Sequence, residues 1–389
     1  MKYLVKKTFY LIYLFSICLI LLESIFQLYI YFSGDVRGFY TFFEIQPDEK
    51  YWNDVTSNIE NSEYFVLDEN LGWAIKKNGL FRDSLYVSNS VGIRSNKEFA
   101  LKKDSTLRIG LFGDSFIHSD DVYFEESLAY HLESNLLEYG FAVEVLNFGV
   151  SGYDMTQAYL RYENMGQNYD LDIVLFGFQI ENFWRNLNVY RPNYYLYTGF
   201  PFVKPKLYHH NDSLKYIDIS GIDPDYLKKL PLNFESSRLS QFEYFTDTKL
   251  IVKNNFVSWS YVNKIIVSML SEPNYTHGQR IEENTEGLMI MNYILGEFKS
   301  LSKENGTNFL IVELPNNELN NYIIEHGVHP NPTIINSISD QYSLIRTDTL
   351  LAQYPIEKTY NYHYTSFGNK IISNQIVSTL FEQKLISRN

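Results

Sequence analysis

The chain has 389 residues, a formal net charge of −13 and one cysteine, Cys18. That length can bury a sizeable core in one large or two ordinary domains. The acidity excludes a nucleic-acid binder, which needs a basic face for phosphate contact, and a lone cysteine excludes both an intramolecular disulfide and a cysteine-based metal site. With 33 Tyr and 28 Phe the chain is rich in aromatics. This suits a carbohydrate or lipid-headgroup surface, and compositional drift explains it equally well.

Residues Phe9 to Phe32 are almost wholly apolar, interrupted chiefly by Glu23 and Gln27, and Lys2, Lys6 and Lys7 precede them. About 20 apolar residues span a bilayer, and flanking basic residues stay on the cytoplasmic side. The sequence predicts an uncleaved single-pass anchor over residues 1–33, with the N-terminus cytoplasmic and the chain after Ser33 periplasmic or extracellular. Glu23 within an apolar span is costly, so it is expected to meet a second helix or a membrane-protein partner. Residues 34–105 hold short apolar pieces separated by Gly, Asn and Asp, which read as an extension of hairpins laid over the main domain.

Leu107 to Phe112 is a buried strand ended by Gly113-Asp114-Ser115. An amphipathic helix, Phe124 to Tyr139, follows with Leu128, Leu132 and Leu136 on one face, then a strand from Ala142 to Phe148 and a glycine-rich turn through Gly149 and Gly152. A helix from Met155 to Met165 leads to a third strand, Leu171 to Phe178. Strands alternating with helices imply a parallel sheet. Between 187 and 283 the rhythm stops at prolines and at Tyr190, Tyr194, Tyr195, Tyr197 and Tyr208, which predicts an inserted lid or substrate wall. The pattern resumes with a helix from Glu286 to Ser302, strands at Asn308–Glu313 and Tyr342–Thr347, and a last helix from Ser366 to Lys384. The α/β domain is thus expected over 106–186 and 284–389.

Acyl transfer from an ester needs a nucleophilic hydroxyl, a base and donors for the oxyanion. Ser115 ends a strand where ligands bind in open α/β sheets, and His363, just before the last helix, stands at the same end of the sheet. His118 reads as a loop histidine bonded to backbone. His209-His210 reads as an exposed loop pair, and His326 and His329 lie in a loop without a carboxylate pattern. No metal or cofactor is expected.

Four blocks in order resemble the SGNH/GDSL hydrolases: Gly113-Asp114-Ser115-Phe116, Asn147-x-Gly149-x-x-Gly152, Ile180-Glu181-Asn182-Phe183 and His363-x-Thr365-x-x-Gly368. The resemblance implies a flavodoxin-like three-layer αβα fold. It implies Ser115 as nucleophile, His363 as base, and an oxyanion hole from the amides of Ser115, Gly152 and Asn182. The expected activity is that of a serine esterase or deacylase, on an acylated small molecule or a cell-envelope glycan. Two features depart from the family. Tyr360 and Asn361 stand where an aspartate normally precedes the histidine, and Phe183 replaces a frequent acid. Asn361 would orient His363 through its carbonyl oxygen, a carboxylate such as Asp348 would take the role, or a Ser-His dyad would operate. The missing aspartate keeps a non-catalytic glycan-binding or scaffold protein as the alternative, and Glu23 keeps an O-acyltransferase with a membrane partner.

Overall fold

The computed structural model describes residues 2–43, 45, 47–103, 105–211, 213–246, 259–270 and 281–387. In chain order, helices α1 (Lys2–Ser33), α2 (Val36–Phe42) and α3 (Glu49–Glu60) precede strand β1 (Leu107–Phe112). Then come α4 (Leu128–Glu138), β2 (Val143–Asn147), α5 (Met155–Asn164), β3 (Ile173–Phe178), α6 (Pro224–Asn233) and α7 (Tyr261–Leu270). The chain continues through α8 (Thr285–Glu304), β4 (Asn308–Glu313), α9 (Asn317–His326), α10 (Pro332–Gln341), β5 (Leu344–Ile345) and α11 (Ser366–Glu382).

Two units form. The larger comprises residues 61–189, 203–221 and 278–389, and the other 1–60, 190–202 and 222–277. The boundaries differ from the expected ones: the extension over 34–105 divides at residue 60, and the insertion over 187–283 divides between both units. Of that insertion, 212, 247–258 and 271–280 lie outside the described residues.

In the larger unit the five strands lie in the order β5-β4-β3-β1-β2, all parallel. This is the flavodoxin-like arrangement, in which the chain steps from β1 to β2 and then crosses back to place β3 on the other side of β1. Period-two alternation sends Ile109, Leu111, Ile173 and Leu175 to one face, where they join Leu128, Leu132 and Leu136 of α4 and Ile372, Ile376 and Leu380 of α11. Phe112 and Phe176 point to the other face, against Phe298 of α8, with ring centroids 6.4 and 4.8 Å away. Helices therefore cover both faces, which is why these strands are apolar throughout. Helix α4, expected from Phe124, begins at Leu128, because Ser127 caps it and Phe124–Glu126 forms a separate 3-10 turn.

The smaller unit has its own core of Ile30, Val36, Phe39, Tyr40, Tyr51, Trp52, Val55, Tyr261 and Ile265. Lys264 is buried there with Asp48 as its counter-ion and donates to the Tyr40 hydroxyl at 2.8 Å. Tyr190 is buried and stacks on Phe234, Tyr194 is half-buried against Phe245, and Tyr195 is exposed. Within α1 the stretch Val5–Ser33, 29 residues, is long and apolar enough to cross a membrane.

Candidate active site

The crevice of such a sheet opens beyond the carboxyl ends of β1 and β3, where the strand order reverses. Asp114 follows β1 and caps a one-turn helix, Ser115–His118, by accepting from the Phe116 amide at 2.9 Å. That cap fixes Ser115 at the start of the turn, 7% exposed. Gly149, in the turn after β2, lies against the same segment. A Cβ there would fall 2.4 Å from the His118 amide nitrogen, so only glycine lets the two turns approach. Gly152 has a φ of +81°, the left-handed region.

His363 stands in a short hairpin, Tyr360–Asn361 against His363–Tyr364, just before α11. The hydroxyls of Tyr360 and Tyr364 both donate to the Pro315 carbonyl, at 3.0 and 2.6 Å, which ties the hairpin to the end of β4. The Ser115 hydroxyl lies 2.9 Å from His363 Nε2, within donating distance. On the other side of the ring, His363 Nδ1 lies 2.6 Å from Asp121 Oδ2.

Asp121 therefore takes the place for which Asn361 and Asp348 were considered. Asn361 is exposed on the strand opposite His363, while Nδ1 is already engaged by a carboxylate. Asp348 is buried and paired with Arg346, whose Nε donates to Oδ1 at 3.0 Å. Burial works to lower the His363 pKa. The hydrogen bond to Asp121 and the carboxylates of Asp120, Asp121 and Asp114 outweigh it and raise the pKa above the ordinary 6.5.

Asp121 lies on a loop of unusual backbone: Ser119 and Asp121 have φ of +62° and +68°. The supports come from residues 61–105, a segment in which sequence reasoning found no chemistry. Tyr86 accepts from the Asp121 amide at 2.9 Å. Arg94, fully buried, lies over the Tyr86 ring and donates to the carbonyls of His118, Ser119 and Val122, the last two at 2.5 and 2.6 Å. His118 is bonded through its side chain, not to backbone as expected. Its Nδ1 meets Asp120 Oδ1 at 2.5 Å and its Nε2 meets the Tyr64 hydroxyl at 2.7 Å. Burial and the Arg94 charge push its pKa down to about 4, so the ring is neutral. A neutral ring donating from Nδ1 to Asp120 accepts from Tyr64 at Nε2. Burial would raise the Asp120 pKa, but His118, His363 and the Ser151 hydroxyl hold it down, at about 2.

Asn182 begins the turn after β3, and its amide donates to Asp114 Oδ2 at 3.1 Å. Arg185 Nη1 reaches the same oxygen at 3.3 Å. Burial pushes the Asp114 pKa up, the more so without Arg185, which opposes it. Phe183 is fully buried against Gly287 of α8, so the residue that departs from the family block serves the core.

A parallel sheet of order 2-1-3-4-5 thus carries Ser115, His363 and Asp121 in contact at its switch point. No family model matches the chain, and no curated protein matches it. Similar solved structures include an acetyl xylan esterase at 11% identity and a TM-score of 0.37, covering 70% of this chain and 100% of that one. A Clostridium thermocellum family 3 carbohydrate esterase is 11% identical with a TM-score of 0.36, covering 72% and 96%. A lipolytic G-D-S-L family protein from Veillonella parvula is 9% identical with a TM-score of 0.33, covering 71% and 98%.

Proposed function

We propose that this chain is a membrane-anchored serine ester hydrolase that acts outside the cytoplasm. The observation that carries the proposal is the continuous path from Ser115 through the His363 ring to Asp121. His363 Nε2 takes the Ser115 proton as Oγ attacks the ester carbonyl, and Asp121 stabilises the imidazolium that forms. The amides of Ser115 and Gly152 and the side chain of Asn182 receive the oxyanion. Collapse of the tetrahedral intermediate expels the alcohol, which takes its proton from His363. Water, deprotonated by His363, then attacks the acyl-serine and releases the acid.

The substrate we infer is a short acyl ester carried by a cell-envelope glycan. The apolar stretch of α1 and the lysines before it support a site on the far side of the membrane. The non-catalytic alternative drew on the missing aspartate, and Asp121 removes that motive. The test uses the full chain in detergent. It should hydrolyse a short-chain aryl ester, release the acid from an O-acylated envelope polysaccharide, and become labelled by a fluorophosphonate. Labelling retained in Ser115→Ala would sink the proposal.

A further inference from the structure

Glu23 lies inside the apolar stretch of α1, yet its carboxylate is fully engaged within the chain. It accepts from the Ser260 hydroxyl at 2.7 Å, from the Tyr261 and Val262 amides at 3.1 Å each, and from Gln27 Nε2 at 2.6 Å. Two of these donors, the Tyr261 and Val262 amides, belong to the first turn of α7 and Ser260 immediately precedes it, so the carboxylate serves as that helix's N-terminal cap. Gln27 adds a bond to the Trp259 carbonyl at 2.8 Å. Two neighbouring residues of α1 thus bind α7 at its start.

Counting about 20 residues onward from Thr8, just past Lys7, brings a membrane span to its far edge near Gln27. Glu23 then sits about 6 Å inside that edge. The first turn of α7 must start at the same depth.

The composition of α7 agrees. Tyr261, Lys264 and Ile265 are buried against the smaller unit's core. Trp259 just before the helix, with Val262, Ile266 and Met269 on it, forms an apolar stripe at spacings of three, four and three, the pattern of one helix face. Trp259, Ile266 and Met269 are 63%, 45% and 77% exposed. Tyr31 and Phe32 at the end of α1 and Phe42 on α2 are exposed too, aromatics of the type that gathers where a bilayer meets water.

We infer that α7 is a membrane-inserted foot, lying with its Trp259–Met269 stripe in the leaflet from which α1 emerges and bolted to α1 by Glu23. This rests on α1 being a membrane span, and the occupant of the stripe is lipid. The bonds to α7 also satisfy the carboxylate, for which the sequence alone left open a second helix or a membrane-protein partner.

The test places single cysteines in the full-length Cys18→Ser chain at Leu14→Cys in α1, Met269→Cys in α7 and Glu138→Cys on the exposed face of α4. Each is labelled with an environment-sensitive fluorophore, and the protein is reconstituted in phosphatidylcholine vesicles with nitroxide-bearing acyl chains. The probes at 14 and 269 should shift to the blue and lose emission to the nitroxides, and the probe at 138 should do neither. If 14 is quenched while 269 behaves like 138, the foot is overturned and the span stands. If 14 is not quenched, the span fails and the foot with it. Crosslinking of Met269→Cys between two copies in place of quenching would assign the stripe to a second chain and overturn the lipid assignment.

Discussion

His363 and Asp121 are 242 residues apart in sequence, and their side chains meet at 2.6 Å. One nitrogen of the ring is committed to a carboxylate while the other faces Ser115, so the imidazole can accept a proton only at the serine side. Replacing Asp121 by Asn should keep the fold and lower kcat by about four orders of magnitude, the cost of the wrong tautomer in a serine triad. Asn361→Ala should leave kcat within about twofold, as surface changes away from such contacts do. Steady-state hydrolysis of an aryl ester by both variants checks this, and equal losses would overturn the assignment.

The raised pKa of His363 has opposite consequences for activity and stability. As a base the ring must be neutral, so kcat/KM should be lost as pH falls through a value above 6.5. The protonated ring is held by Asp121, so its contribution to stability is complete below the unfolded value and is lost as pH rises through the folded one. In Asp121→Asn the acid limb of the kcat/KM profile should move to lower pH. A profile unchanged by that substitution would place the titrating group elsewhere.

Arg94 is buried beneath the loop that carries Asp121, and three carbonyls depend on its guanidinium. Arg94→Met should cost about 3 kcal/mol or more, since buried acceptors lose a charged donor. It should also lower kcat with little change in KM, because the loop positions the acid and not the substrate. Thermal unfolding and steady-state kinetics measure the two effects separately.

Gly149→Ala should destabilise the larger unit by about 1–3 kcal/mol, the usual cost of overpacking. The added Cβ would lie 2.4 Å from the His118 nitrogen, against backbone that cannot swing aside. Thermal denaturation reads the loss, and a variant as stable as the parent would show the two turns to be looser than drawn.

The parallel sheet was legible because β1, β3 and β4 are apolar runs ended by polar turns, the pattern of strands buried on both faces. Ser115 and His363 could be located because a hydroxyl after β1 and a histidine before α11 occupy recognisable local blocks. Asp121 could not be read the same way, since the usual signal is an acid close before the histidine. The available signal was Asp120-Asp121 soon after Ser115, two adjacent acids on a loop between that serine and a helix. Arg94, Tyr64 and Tyr86 were invisible for another reason: their role depends on long-range packing that no local periodicity records. The same holds for Tyr190, where an aromatic-rich insertion suggested a surface and long-range burial made a core.

Because Arg94 and Tyr86 hold the Asp121 loop from a segment that precedes β1, the smallest piece of this protein that keeps the Ser115–His363–Asp121 path intact does not start at the sheet. A fragment beginning at Thr106 would retain Ser115, His363 and Asp121 and still lose their alignment, since the Asp121 loop would have nothing to brace it. Any attempt to miniaturise or transplant this site has to carry residues 61–105 along.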